Sequence, residues 1–366
     1  MHLTIDREFF LKPLQAVGAV VESRQTKQIL SNILFEINQD QLIMTSTDEE
    51  IEMRVFLSLE EDLGQFKFTL PGKKLVDICR SLPEGVMIDI ESNESGILIK
   101  SGRSKFKLAS LNPDEFPDVR SVESEVEFKV QPQIFRSLME KTAFSMAQSD
   151  VRFYLNGMLL EVSQGQLRTV ATDGHRFSMS TTSLNYTNDE VYQSIIPRKG
   201  IHELSKILVH QERDILVKLS QNHISVQNEE FCFTSKLVDS RFPDYTRVIP
   251  KHYVSNVTVD RIALRDALTR ASILTNEKLR SVRLIIESNT LSIAAINQQE
   301  QADDEVAVVF DGEPLDFGFN VVYLLDALNA LDNENITFSI AETNHSLAFN
   351  ESGKPDVFCV VMPLVV

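Results

Sequence analysis

The alternation of hydrophobic and polar positions repeats three times along the chain. Each copy opens with an alternating strand that runs into a helix with an apolar stripe, and it continues through further alternating segments and a second amphipathic helix. The predicted strand and helix openings are residues 3–5 with 7–21, 126–130 with 134–147, and 254–259 with 262–273. We expect two helices and about eight strands per copy, an α+β unit in which helices back a sheet.

Landmark residues support the repeat. The first two copies share them at a nearly constant shift of 125 or 126 residues: T-D at 47 and 172, F-P-D at 116 and 242, and a proline-led basic helix start at 71 and 197. A fainter third copy of that helix begins at Asn320. The pattern predicts three similar domains, at residues 1–125, 126–251 and 252–366, and a kink at Pro13 in the first helix.

Composition describes a folded chain of 366 residues, 43% hydrophobic and 24% charged. No apolar run approaches the roughly 20 residues that span a bilayer, and the charged, alternating start is unlike a signal peptide. The cysteines Cys79, Cys232 and Cys359 are far apart among apolar neighbours. We expect them to be reduced and buried in a cytoplasmic protein that holds no disulfide, metal or other cofactor.

The formal net charge of −17 argues against a surface that is basic throughout. Basic residues nevertheless concentrate on the predicted helices, opposite the apolar stripes: Lys12, Lys73, Lys74, Arg80, Arg136, Lys141, Arg198, Lys199, Lys206, Arg265 and Arg270. The third copy's second helix is the exception, because it carries Asp326 and no base. If the copies closed into a ring with helices inward, these bases would attract duplex DNA through its phosphates, without reading sequence.

One stretch also permits a catalytic interpretation. Asp173 and His175 lie two apart beside Arg176, where a predicted strand enters an Asp-Gly turn. A hydrolase would need a nucleophile or metal motif, yet the chain has no G-x-S-x-G, H-E-x-x-H or P-loop. The first copy keeps Thr47-Asp48 without Gly-His-Arg, so Thr-Asp is interpreted as scaffold. A scaffold that binds proteins but never DNA remains the other alternative.

Several long segments resemble the β sliding clamp family of bacterial DNA polymerase III. The resemblance covers the whole chain and is carried by F-L-K-P-L from Phe10, S-G-R-S from Ser101, F-S-M-A-Q-S-D-V-R-F-Y-L-N-G-M-L from Phe144, T-V-A-T-D-G-H-R, I-P-R-K-G, F-T-S-K-L-V-D-S-R-F-P-D-Y and the final V-V-M-P-L. It implies a non-catalytic head-to-tail homodimer of six domains. Such a ring surrounds double-stranded and primed DNA, is opened by a clamp loader, and tethers replicative and repair polymerases.

The resemblance also implies three sets of site residues. A groove between the second and third domains, which binds linear peptides of partners, corresponds to Arg152, Leu155, Thr172, Gly174, His175, Arg176, Phe177, Pro243, Arg247, Val248, Ser346, Val360, Met362, Pro363 and Leu364. DNA contacts correspond to Arg24, Lys73, Ser149, Phe153 and Tyr154. The dimer interface corresponds to Lys74, Arg103, Lys105, Phe106 and Leu108 of one protomer against Ile273, Leu274, Glu300, Asp303, Asp304 and Glu305 of the other.

Overall fold

In the residues that the structure describes, each third of the chain contains eight strands and two α-helices, as the repeat predicts. The structure, a computed structural model, describes residues 2–22, 27–93, 96–117, 123–186, 190–276, 278–297, 300–353 and 355–364. The first copy contains β1 (His2–Asp6), α1 (Arg7–Val20), β2 (Asn32–Asn38), β3 (Gln41–Thr47), β4 (Ile51–Ser58), β5 (Gln65–Pro71), α2 (Gly72–Ser81), β6 (Met87–Asn93), β7 (Gly96–Ser101) and β8 (Ser104–Leu108).

The other two copies follow the same order of elements. The second contains β9 (Val126–Val130), α3 (Pro132–Ala143), β10 (Gly157–Ser163), β11 (Gln166–Thr172), β12 (Arg176–Ser183), β13 (Tyr192–Pro197), α4 (Arg198–Leu208), β14 (Ile215–Leu219), β15 (His223–Gln227) and β16 (Phe231–Lys236). The third contains β17 (Tyr253–Asp260), α5 (Arg261–Ser272), β18 (Ser281–Glu287), β19 (Thr290–Ile296), β20 (Gln301–Phe310), β21 (Leu315–Asn320), α6 (Val321–Asn329), β22 (Asn335–Ala341), β23 (Leu347–Glu351) and β24 (Asp356–Val361).

Local capping explains where the helices begin. The carboxylate of Asp6 accepts the N–H of Phe9 at 2.9 Å, and Asp260 caps α5 in the same way. Helix α1 is continuous through Pro13, and the predicted kink stays a prediction. The predicted end of α3 at residue 147 is wrong, because the helix ends at Ala143 and a turn follows. The apolar pattern continues there, but those side chains pack outside a helix.

The chain divides into two compact units that cut across the sequence copies. One comprises residues 1–132 and 202–237, and the other residues 133–201 and 238–366. The first unit holds a four-stranded sheet, β1-β6-β7-β8, and an eight-stranded sheet, β5-β2-β3-β4-β16-β15-β14-β9. The second holds one sheet in the order β13-β10-β11-β12-β24-β23-β22-β17-β20-β19-β18-β21. The strand pairings of the described residues are all antiparallel, so each sheet can face helices on one side.

Two pairings join strands of successive copies, and we call them the first and second joints. At the first joint β4 pairs with β16, with Val55 opposite Phe231. At the second joint β12 pairs with β24, with Arg176 opposite Val361. In both joints the fourth strand of one copy meets the eighth strand of the next. Within the described residues, β8 pairs only with β7, and positions 301–307 of β20 pair only with β19.

The cysteines do not share one environment. Cys79 and Cys359 are buried, and burial raises the pKa of their thiols to about 12 and about 11. The prediction that Cys232 is buried is wrong, since its side chain is half-buried. Phe231 and Phe233 face the core, and strand alternation turns the intervening cysteine to the other face. No helix in the described ranges is long and apolar enough to cross a bilayer.

Candidate functional site

The turn between β11 and β12 is built by Thr172 and Asp173. The Thr172 hydroxyl donates to the carbonyl of Arg176 at 2.6 Å and accepts the N–H of Gly174 at 3.1 Å. One oxygen of Asp173 accepts the N–H groups of His175 and Arg176, and the other accepts the Arg176 Nε at 3.0 Å. These bonds engage both carboxylate oxygens in holding the turn, so Asp173 has a structural role in place of a general base.

Arg176 is the first residue of β12 after this turn, and its side chain makes the central contacts of the second joint. Its side chain is only 11% exposed, and its guanidinium binds both Asp173 and Asp326. The same group lies over the ring of Tyr323 at 4.3 Å and over that of Phe144 at 5.6 Å. Arg176 therefore stabilises the joint through its side chain. Sequence reasoning missed Tyr323 and Phe144 as partners, although Asp326 stood out as an acid on a helix position that is basic elsewhere.

An apolar cluster lies beneath this surface. Phe177 is fully buried, stacks on Tyr245 with ring centroids 6.1 Å apart, and meets Phe358 edge-on at 6.4 Å. Four of the residues predicted for the groove are buried, namely Leu155, Phe177, Ser346 and Val360, and two of them, Phe177 and Val360, belong to this cluster. The half-buried side chains of Val248 and Tyr154 pack against the same cluster. Aromatic and aliphatic side chains therefore lie directly beneath the turn between β11 and β12.

A buried polar network supports that floor and was not anticipated from the sequence. Glu161 is nearly buried, and its carboxylate accepts from Arg168 at 2.6 Å, from Tyr245 at 3.0 Å and from Gln193 at 2.7 Å. Burial raises the pKa of Tyr245, which keeps its hydroxyl protonated and donating. Because the charge is paired and hydrogen-bonded, the network fixes the Tyr245 ring against which Phe177 stacks.

The rim is more exposed and partly cationic. The guanidinium of Arg152 binds the carboxylate of Asp150, which holds the pKa of that acid down to about 2. Gly174 has a φ of +90°, and a Cβ there would lie 3.4 Å from Nη2 of Arg152. That distance is an ordinary contact, so the glycine is required here mainly by its backbone conformation, which other residues avoid. The exposed predicted rim residues also include His175, Pro243 and Arg247.

The chain's last described residues close one side of this surface. The N–H of Met362 donates to the carbonyl of His175 at 3.0 Å, and the N–H of Leu364 donates to the carbonyl of Gly318 at 2.8 Å. The side chains of Met362, Pro363 and Leu364 are half-buried. All fifteen predicted groove residues lie in the second unit, whose surface here combines buried apolar residues with exposed polar ones. Such a surface suits an extended peptide with apolar side chains.

The predicted DNA contacts differ in what the structure describes. Lys73 is exposed on α2, and Ser149 and Phe153 are exposed in the loop before β10. Tyr154 is half-buried and meets Phe242 edge-on at 6.4 Å, so part of its ring packs against the apolar cluster around Phe177. Arg24 lies outside the described residues.

Not every basic side chain on a helix faces outward as the sequence suggested. Lys141 is only 13% exposed and binds Asp332 at the end of α6, and Arg198 donates to the carbonyl of Met146 at 3.0 Å. Arg270 is exposed but binds Asp304 at 2.6 Å. These three therefore stabilise the fold locally, and the expectation of uniformly outward bases is wrong for Lys141 and Arg198.

The residues predicted for the interface lie on α2 and around β8 in the first unit, and after α5 and around the start of β20 in the second. On the first unit, Phe106 of β8 is half-buried and Leu108 is buried, while the three bases are exposed: Lys74, Arg103 and Lys105. On the second unit, Ile273 is 76% exposed and Leu274 is half-buried. Beside them are the exposed acids Glu300, Asp303 and Glu305, with Asp304 half-buried. Leu108 therefore packs mainly within its own copy.

Three copies of two helices and eight strands, joined strand to strand, define the DNA clamp fold, and the comparisons agree. Family models of the DNA polymerase III beta subunit match as its N-terminal domain over residues 1–120, its central domain over 129–244 and its C-terminal domain over 246–365. The chain belongs to the DNA polymerase III beta subunit family, the beta sliding clamps. No group of three or more metal-ligating side chains occurs in the described part of the chain.

Individual relatives match over their whole length. The beta sliding clamp of Pseudomonas aeruginosa is 45% identical over 365 residues, which cover 100% of each chain. The crystal structure of the DNA polymerase III subunit beta from that organism has a TM-score of 0.95 at 44% identity, with 100% of both chains covered. A Pseudomonas aeruginosa sliding clamp bound to griselimycin has a TM-score of 0.96 at 45% identity, with the same coverage.

Proposed function

We propose that this chain is a sliding clamp of the bacterial replicative DNA polymerase, working as a head-to-tail homodimer in the cytoplasm. Its three domains, at residues 1–125, 126–251 and 252–366, would form half of a six-domain ring with helices around the hole. The ring would surround double-stranded and primed DNA without reading sequence, after a clamp loader has opened it. It would act as a non-catalytic accessory subunit, since Asp173 is held in a turn.

The observation that carries the ring is the repeated joint. Within the chain, β4 pairs with β16 and β12 pairs with β24, always the fourth strand of one copy with the eighth of the next. The same rule applied once more pairs β20 with β8 of a second chain. In the described residues, β20 is the fourth strand and β8 the eighth strand that have no partner strand from another copy. Applied in both directions, the rule closes a ring of two chains.

Residues beside these edges support the closure. Ile273 stands thirteenth from the start of α5, and Phe144 stands thirteenth from the start of α3. Phe144 packs at the second joint, whereas Ile273 is exposed in the single chain. An exposed apolar side chain at a joint position favours burial by another protomer. The bases Lys74, Arg103 and Lys105 near β8 complement the acids Glu300, Asp303, Asp304 and Glu305 near β20.

Sedimentation of interface variants tests the dimer. Replacing both Ile273 and Leu274 with Ala should convert the dimer to monomers, because the exposed apolar contact is lost. Val309→Ala is the matched control, since Val309 is also an exposed apolar residue but lies where β20 pairs with β17. A dimer that persists in the double variant and dissociates in the control would place the interface elsewhere.

Enclosure of DNA is tested by topology. The loaded ring should stay on a nicked circular plasmid and should leave the same plasmid after linearisation, because a ring slides off an open end. Contacts to the duplex are assigned to Arg24, Lys73, Ser149, Phe153 and Tyr154. Lys73→Ala should weaken direct binding to duplex DNA at low salt and make that binding less salt-dependent, since one phosphate contact is lost. Equal retention on both plasmids would contradict enclosure and favour a protein-binding scaffold.

The groove of the second unit is proposed to hold linear peptides of replicative and repair polymerases. Its lining combines the buried floor with the rim at Arg152, Gly174 and His175 described above. Gly174→Glu should weaken binding of a fluorescein-labelled pentapeptide with Leu and Phe near its end by tenfold or more. Both the added side chain and the strained φ would disturb the rim.

The matched control is Gly165→Glu, which also replaces a glycine with positive φ but lies in the β10–β11 turn. Unchanged peptide affinity in Gly174→Glu, with the variant folded, would exclude the groove. His175→Ala separates the groove from a catalytic site. It should weaken the peptide, and the parent protein should show no hydrolytic turnover that the variant could lose.

A further inference from the structure

A cavity also lies beside the first joint. It has a volume of about 860 Å³ and is walled by α1, β4, the last two turns of α4 and the start of β16, all within the first unit. We call it the α1–α4 groove. Its walls include apolar side chains from all of these elements, among them Phe9, Ala16, Ala19, Met53 and Ile207. This volume lies within the range of small-molecule sites, roughly 300–1,000 Å³.

The second joint shows what fills the corresponding space when the chain supplies it. Counted from the helix starts, Ala16 and Ala19 of α1 correspond to Lys141 and Phe144 of α3. The largely buried Lys141 reaches Asp332 with its ammonium, and the Phe144 ring packs below a guanidinium. Two methyl groups at the first joint replace an alkylammonium and a phenyl ring, which leaves the groove open.

The first joint keeps a counterpart of the acid Asp326 but has no counterpart of the cation Arg176. Glu203 is the sixth residue of α4, as Asp326 is of α6, and its side chain is only 13% exposed. At the second joint, Asp326 binds the guanidinium of Arg176, the first residue of β12. At the first joint, the corresponding first residue of β4 is Ile51, which has no charge. Glu203 has instead the ammonium of Lys206 at 2.8 Å, a side chain that is two-thirds exposed and that an incoming cation can replace at little cost.

We propose that the α1–α4 groove binds a small amphiphilic amine, an aromatic ring joined by a short alkyl chain to an ammonium or guanidinium group. The ring enters the space over Ala16 and Ala19, where the second joint has Phe144. The cation takes the place of the Lys206 ammonium on the carboxylate of Glu203. The ligand thus supplies the two groups that the chain itself supplies at the second joint, and burial of the ring contributes most of the affinity.

The direct test uses 4-phenylbutylamine as the probe, with the full-length dimer and with binding followed by calorimetry. The uncharged 4-phenylbutanol, of similar size, measures the contribution of the cation. We expect the amine to bind at least tenfold more tightly than the alcohol, and Glu203→Gln to remove that difference while leaving the alcohol unchanged. Equal binding of amine and alcohol to the parent protein would overturn recognition of the cation.

The location is tested by filling the groove with the side chains of the second joint. The double variant Ala16→Lys with Ala19→Phe should lose amine binding by tenfold or more, with no fall in melting temperature. The single variant Ala16→Leu is a second test of the location. It narrows the groove by one side chain and should weaken amine binding severalfold. Undiminished binding to either folded variant would overturn the site. Peptide affinity at the second joint should be unaffected, which separates this site from the peptide groove.

Discussion

The two joints of this chain use one scaffold to carry different surfaces. Thr47 donates to the carbonyl four residues ahead at 2.8 Å, and Asp48 accepts the N–H groups of Glu50 and Ile51. Thr172 and Asp173 repeat these bonds, donor for donor, at the second joint. The Thr-Asp pair is therefore what both turns need to form. Function depends on the residues that each turn presents.

The residue after Thr-Asp decides whether the space beside the turn is open. At the first joint Glu49 binds the ammonium of Lys27 across the gap. Lys27 and Arg152 occupy corresponding positions, since each lies equally far before its threonine, Thr47 or Thr172. At the second joint the residue next to Arg152 is Gly174, which has no side chain that could pair with it. The cavity at the first turn is correspondingly small, about 40 Å³, and carboxylates line it. An ion pair closes one joint, and a glycine opens the other.

Beside the helices the difference is the opposite one: the second joint is filled and the first is open. There the second joint is filled by Lys141, Phe144 and Arg176, and the first is open over Ala16 and Ala19. A repeated architecture thus offers several equivalent positions for a site, and substitution of a few side chains decides which of them are occupied.

The largest expected effect comes from removing the cation at the centre of the second joint. Arg176→Ala should lower the free energy of unfolding by about 3 kcal/mol, because it leaves two carboxylates without their partner in a largely buried place. Calorimetry measures the shift of the affected transition. Arg247→Ala is the control: this side chain is 83% exposed and pairs with Asp244 on the surface, so little or no loss of stability is expected. Similar losses in both variants would contradict the assigned role.

The shared scaffold predicts paired losses of intermediate size. Asp48→Ala should cost about 1 kcal/mol, since two backbone N–H groups lose an acceptor. Asp173→Ala should cost about 2 kcal/mol, because the guanidinium of Arg176 loses a partner as well. Urea unfolding of both variants measures the difference. A larger loss in Asp48→Ala would show that the two turns are not energetically equivalent scaffolds.

The strands at the joints also differ in thiol access, and little free energy is involved. A thiol reagent should modify one cysteine per chain in the native protein, Cys232 of β16. Cys359 of β24 and Cys79 are buried, and the raised pKa of each keeps it protonated at neutral pH. Mass spectrometry after brief labelling identifies the modified residue. Early labelling of Cys359 would mean that the second joint opens readily.

The smallest effect is a titration at the rim of the open groove. The Arg152 guanidinium lowers the pKa of Asp150 to about 2, so the pair stabilises the fold above the unfolded pKa near 4. That contribution is lost as the pH falls through about 2. Carboxyl NMR should find Asp150 titrating near 2 in the parent and near its ordinary value in Arg152→Ala. Identical titrations would show that the pair does not form in solution.

How far the sequence could predict this protein depends on the range of the interactions. Alternation, apolar stripes and the recurring Thr-Asp pair act over a few residues, so the three copies, their eight strands and two helices, and the scaffold role of Asp173 were all visible in the sequence. The family followed from long matching segments. Even the acid on α6 was noticed, though its partner was not.

Interactions between distant residues were decided only by the tertiary structure. Which strand meets which at a joint depends on pairings such as Val55 with Phe231, far apart in the chain. Packing between distant elements also buries Lys141 and ends α3 at Ala143. An apolar pattern states that a side chain will be buried, but only the packed fold determines what covers it. For this reason the filled and open joints could not be distinguished by their sequence periodicity.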